Sequence, residues 1–69
     1  MQIKAEEIKR AYKKLKTKLS PREKDVITRY YGIDEQVRHS LAELGELYQV
    51  TRERIRQIKT EALQKLKIK

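Results

Sequence analysis

The 69-residue sequence has no cysteine, tryptophan or phenylalanine, and only one histidine, one proline and two glycines. Without cysteine there is no disulfide to staple a small core. With a single histidine and no second ligand type clustered beside it, no structural metal is expected either. No apolar run approaches the ~18 to 20 residues of a membrane span, and no hydrophobic signal segment follows the basic N-terminus, so a soluble, cytoplasmic protein is expected. There is no nucleophile paired with a base, no metal cluster and no phosphate-cradling glycine loop. Enzymatic activity and a cofactor are therefore not expected. A chain of this length buries only ~60% of the surface its unfolded form exposes, which leaves compact helix packing in a single domain as the expected solution.

What is abundant is charge, at 41% of residues with a net +8, and it is segregated. Residues 1 to 18 hold seven Lys/Arg against two Glu, residues 19 to 51 hold four against six acids, and residues 52 to 69 hold seven against two. Basic ends around a mildly acidic middle point to a polyanion at one face and a different partner elsewhere, where a uniform coat would serve solubility alone. A chain this charged could also be disordered, but its apolar residues recur with a helical period that disordered segments rarely show.

Ile3, Ile8, Tyr12, Leu15 and Leu19 line one face of a basic amphipathic helix over residues 1 to 18. Such a helix can lie on an anionic membrane, but this stripe is narrow and has no Trp or Phe anchor. "LSPRE" at 19 to 23 starts a second helix, over 20 to 32: Ser20 caps, Pro21 takes the first position, Glu23 completes a capping box, and Gly32 ends the helix left-handed. Residues 33 to 39 have no usable period and are expected to form a loop. "SLAE" at 40 to 43 repeats the capping box for a short helix, Leu41 to Tyr48. Gly45 within it costs about 1 kcal/mol relative to alanine, which predicts that another helix crosses closely there. Thr51 then caps a fourth helix with Ile55, Ile58, Ala62 and Leu66 on its apolar side. A short helix with a central glycine, a tight turn and a longer amphipathic helix make a helix-turn-helix over 40 to 67. The fold class expected is all-α, a small four-helix domain with a C-terminal helix-turn-helix.

At about 100° per residue, Gln57 and Glu53 fall nearly opposite Ile55, at about 200° and 160°, with Arg56 and Arg54 flanking at about 100° and 260°. These side chains suit base edges: Arg forks onto guanine, Gln onto adenine, and Glu accepts from cytosine, while neighbouring arginines hold phosphates. A solvated face is the alternative, with Glu53 favouring the helix N-terminus and pairing with Gln57 or Arg56. A carboxylate among arginines is repelled by phosphates unless a donor awaits it, so a DNA role for Glu53 implies selectivity.

"LSPREKDVITRYYGI" followed by "SLAELGELYQVTRERIRQIKTEALQKLK" resembles region 4 of the primary, housekeeping-type sigma factors of bacterial RNA polymerase, over about residues 19 to 67. The resemblance implies a helix-turn-helix whose second helix enters the major groove of the −35 promoter element, in a domain that also docks on the flap-tip helix of the polymerase β subunit. It implies base reading by Arg52, Glu53 and Gln57, with Arg56 beside them. It also implies phosphate contacts by Arg22, the amide end of the third helix at Leu41, Thr51 and Arg54. The family often has Glu where Ala42 and Lys59 stand and a basic residue where Glu61 stands. The alternatives are a stand-alone helix-turn-helix regulator or a recombinase's DNA-binding domain, or an anti-sigma or polymerase docking module with little DNA affinity of its own.

Tyr12, Tyr30, Tyr31 and Tyr48 adjoin apolar stripe positions, which favours core packing over base stacking. The acidic middle reads either as a solvated surface or as a protein-docking region. In the docking reading, an apolar groove among the first three helices, lined by Ile8, Leu15, Val26, Ile27 and Leu44, takes a partner helix. The resemblance names that partner as the polymerase flap tip, with anti-sigma factors able to occupy the same surface.

Overall fold

The computed structural model describes residues 5 to 34 and 37 to 67. Four helices run in the order α1 (Ala5–Leu15), α2 (Pro21–Tyr31), α3 (Leu41–Tyr48) and α4 (Arg52–Lys65), and no strand occurs among the described residues. The first helix is shorter than its apolar pattern suggested: Lys16–Lys18 tighten into a 3-10 turn. The reason lies in the next junction. Helical conformation is disfavoured for a residue before proline, and Ser20 is extended (φ −69°, ψ 162°), so the chain leaves the helix ahead of it. Leu19, also extended, drops its side chain into the core at this corner. Ile3 lies outside the described residues.

Both capping boxes form. Ser20 Oγ accepts from the Glu23 amide at 3.2 Å while Glu23 Oε1 accepts from the Ser20 amide at 2.8 Å. Ser40 and Glu43 exchange the equivalent bonds at 3.0 and 2.8 Å. At the far end of α2, Gly32 is left-handed (φ 69°), and the Ile33 amide donates to the Thr28 carbonyl at 2.8 Å. This six-to-one bond is the signature of a Schellman stop, which places an apolar residue just after the glycine against the helix. Ile33, at the start of what reads as a patternless loop, is accordingly core, 1% exposed. Before α3, the His39 amide donates to the Arg29 carbonyl at 2.8 Å, and the His39 ring engages the Val37 carbonyl through Nδ1.

The core has two lobes, and α4 contributes to both. Ile55 and Ile58 join Val26 and Leu44 in one, with Tyr30, Leu41, Tyr48 and Val50 packed around it. Ala62 and Leu66 join Ile8, Tyr12, Leu19, Ile27 and Ile33 in the other. The first lobe holds the helix-turn-helix together, and the second attaches α1. Tyr12 is buried and the other three tyrosines are partly so, with Tyr30 and Tyr31 edge to face at 4.8 Å.

Gly45 does mark a close approach, but the neighbour is the turn itself. A Cβ there would lie 2.8 Å from the Val50 carbonyl oxygen and 3.4 Å from the Arg52 nitrogen. The turn folds back onto α3 so tightly that the Val50 amide donates to the Gly45 carbonyl at 2.9 Å, with Gln49 left-handed (φ 57°) at the corner.

Candidate nucleic-acid interface

The N-terminal half of α4 is anchored from beneath and open above. Ile55 and Ile58 are buried, whereas Thr51, Arg52, Glu53, Arg54, Arg56 and Gln57 are all exposed. The buried pair fixes the rotation of the helix, so the polar residues before and between them are left facing outward. Thr51 Oγ1 accepts from the Arg54 amide at 3.1 Å. A hydroxyl that accepts still has its own O–H to donate, so the cap remains able to bond an anion.

Glu53 is not isolated on this face. Arg56 Nε approaches both carboxylate oxygens, at 3.1 and 3.0 Å, and Nη2 donates to Oε1 as well. The bond from Arg56 holds the Glu53 carboxyl below the usual range and raises the guanidinium in return. Arg54 Nη1 reaches toward Gln57 Oε1 at 3.5 Å, the long limit of a hydrogen bond. The surface pairing of Glu53 with Arg56 is thus present in the structure. Both side chains are more than half exposed, and solvent-screened surface pairs of this kind are weak. A ligand with a suitable donor can exchange them at small cost.

Two further groups among the expected phosphate contacts lie outside α4. Arg22, at the second position of α2, is exposed, and its guanidinium carbon sits 4.2 Å from the centre of the Tyr48 ring, the last residue of α3. At the start of α3, the capping box engages the Ser40 and Glu43 amides, leaving the Leu41 amide outside both of its bonds. Helix N-termini of this form present N–H groups and a positive dipole end to phosphate. Lys59 belongs elsewhere: its ammonium lies 4.8 Å from the centre of the Tyr30 ring, turned toward α2.

The apolar groove is corrected by the structure. Ile8, Val26, Ile27 and Leu44 are at most 1% exposed, and such side chains present no surface to a partner; Leu15 is partly buried against the α1 lobe. A chain this short has too few apolar residues to fill a core and line a groove as well. An open cleft of about 350 Å³ is bordered instead by Tyr12, Pro21, Lys24, Asp25, Thr28 and Asp34, a mostly polar set. Val37 and Leu47 are the large apolar side chains left exposed among the described residues.

A model of the family described as sigma-70, region 4 matches residues 17–67. The chain belongs to that family. It is 55% identical over 49 residues to RNA polymerase sigma factor SigA1 of Synechococcus elongatus, covering 71% of this chain and 12% of the relative. It is 47% identical over 55 residues to RNA polymerase sigma factor RpoD of Neisseria gonorrhoeae, covering 80% of this chain and 9% of that protein. The sequence therefore spans about a tenth of the length of these relatives. All of α1, with its cations Lys9, Arg10, Lys13 and Lys14, precedes the residues that the region 4 model matches. Among the described residues, no helix is long and apolar enough to cross a membrane.

Proposed function

We propose that this region 4 domain is the DNA-binding module of a transcription initiation factor, reading a −35-like promoter element through the N-terminal half of α4. The observation that carries the reading is the capped run Thr51 to Gln57, whose polar residues are exposed while Ile55 and, beyond it, Ile58 are buried beneath. Arg52, Glu53 and Gln57 act as base readers with Arg56 beside them, each offering the donor or acceptor pattern of a major-groove edge. Arg22, Thr51, Arg54 and the Leu41 amide hold phosphates and set the register. On this reading the protein works in the cytoplasm with RNA polymerase core, docks on the β flap-tip helix and is open to anti-sigma factors. It performs no catalysis itself.

The Glu53–Arg56 pair gives the reading its selectivity. Without a ligand, Arg56 neutralises Glu53 and lowers its repulsion from the backbone. In the groove, a cytosine amino group can take over the carboxylate and release Arg56 toward the DNA, whereas another base leaves the exchange uncompensated.

A titration of the domain at several salt concentrations, with duplexes carrying TTGACA, a scrambled site and a palindrome, tests the proposal. Preference for TTGACA supports it. Preference for the palindrome points to a stand-alone regulator or recombinase-type reader. Equal affinity for all three removes sequence-specific reading and leaves a docking module.

A further inference from the structure

Arg22 is the one proposed phosphate contact that comes from outside the helix-turn-helix, thirty residues before α4 begins, so something must hold its long side chain in register with the reading face. The structure shows what it rests on. Its guanidinium carbon lies 4.2 Å from the centre of the Tyr48 ring, within the range of a cation–π contact. Tyr48 ends α3, immediately before the turn Gln49–Val50 that leads to the Thr51 cap, and its ring packs against the lobe formed by Val26, Leu44, Ile55 and Ile58. The ring is therefore fixed by the same residues that fix the rotation of α4. Among the described residues Arg22 makes no ion pair, whereas its neighbour Glu23 is engaged by Lys65.

We propose that Tyr48 is a positioning residue for DNA binding: its ring pre-orders the Arg22 guanidinium at the edge of the reading face, so that Arg22 meets a backbone phosphate in register with α4. This rests on the DNA-binding reading given above. The ring provides a flat, electron-rich platform that matches the planar guanidinium and leaves its N–H edge free for phosphate oxygens. An arginine ordered before binding loses less side-chain freedom when the phosphate arrives. Tyr48 Oη is buried without a hydrogen-bond partner among the described residues, so the proposal assigns the positioning to the ring.

The test is fluorescence anisotropy of the full 69-residue chain with TTGACA and scrambled duplexes over a range of salt, using Tyr48→Phe, Tyr48→Leu, Arg22→Ala and the Tyr48→Leu/Arg22→Ala double variant. Thermal unfolding by circular dichroism establishes that each variant is folded at the assay temperature. Tyr48→Phe should bind within about twofold of the parent, and Tyr48→Leu should weaken both duplexes alike by about two- to fivefold. Arg22→Ala should weaken both and reduce the salt slope by about one. In the Arg22→Ala background, Tyr48→Leu should have no further effect, a coupling that a merely structural role of the ring would not produce.

Three results overturn the proposal while leaving the DNA-binding reading in place: parent-like binding by Tyr48→Leu, equal weakening by Tyr48→Phe and Tyr48→Leu, or an undiminished effect of Tyr48→Leu when Arg22 is absent. Failure of the parent chain to bind any duplex at low salt overturns that reading and the proposal together.

Discussion

Glu53 and Arg54 are adjacent, exposed and opposite in charge, and they are expected to fail differently when removed. Glu53→Ala deletes an acceptor that suits cytosine, so preference at one base pair should relax by about 1 to 3 kcal/mol. The substitution also frees Arg56, its partner in the structure, and non-specific affinity should rise. Arg54→Ala should weaken binding to all sequences alike and reduce the salt slope by about one. Anisotropy with single-base-pair variants of the site separates the two patterns. An identical response from both substitutions would remove the distinction between readers and phosphate holders.

At the scale of elements, two junctions decide whether the reading helix is presented correctly. The first is Gly45. Alanine is worth about 1 kcal/mol more than glycine inside a helix, but its methyl would sit 2.8 Å from the Val50 carbonyl oxygen, which is backbone and cannot rotate away. Overpacking of this kind costs typically about 1 to 3 kcal/mol. Gly45→Ala should therefore lower the melting temperature despite its better propensity, and it should weaken DNA binding because the Val50–Arg52 turn must shift.

The second junction joins the start of α2 to the end of α4 through Glu23, only 5% exposed, whose Oε1 accepts from Lys65 Nζ at 2.8 Å as well as from the Ser20 amide. Burial acts to raise the Glu23 carboxyl, but the bonds from Lys65 and Ser20 outweigh it and hold the group below the usual range. A carboxyl lowered on folding stabilises the native state above its unfolded value, and that contribution disappears as pH falls through the lowered folded value. Melting temperature should drop as pH is taken from neutral down through and below the ordinary glutamate range. Glu23→Gln should flatten that part of the profile, and an unchanged slope in the variant would show that the linkage lies elsewhere.

The whole molecule has little stability to lose. At roughly 0.05 to 0.15 kcal/mol per residue, a domain of this length holds about 3 to 10 kcal/mol, and truncating a buried isoleucine removes about 2 to 5 kcal/mol. Ile27 is fully buried in the lobe that joins α1 to α2 and α4. Ile27→Ala should leave the chain partly unfolded at 37 °C in a circular dichroism melt, and specific DNA binding should fall with the folded fraction. The cations of α1 act over a longer range: on the DNA-binding reading proposed above, they and the arginines of α4 are expected to speed encounter with DNA, an effect that should weaken with salt.

Local chemistry was enough to define most of the elements. Ser20, Pro21, Glu23 and Gly32 bound α2, and Ser40, Glu43 and Thr51 start α3 and α4, because caps and stops depend on residues only a few positions apart. The outward line of Glu53 and Gln57 was legible for the same reason, since helical rotation alone separates it from Ile55 and Ile58. What depended on distant partners was not. Whether Val26 and Leu44 line a groove or fill a core depends on Ile55 and Ile58 arriving on top of them. The pairing of Glu23 with Lys65 spans 42 residues, and the seating of Arg22 on Tyr48 joins two helices that are separated by a loop. Sequence by itself determined the helices, their ends and the polar face of α4, all consequences of near-neighbour geometry. Tertiary structure alone decided which apolar residues remain available to a partner and which cations are pre-ordered, because both follow from packing between segments far apart in the chain.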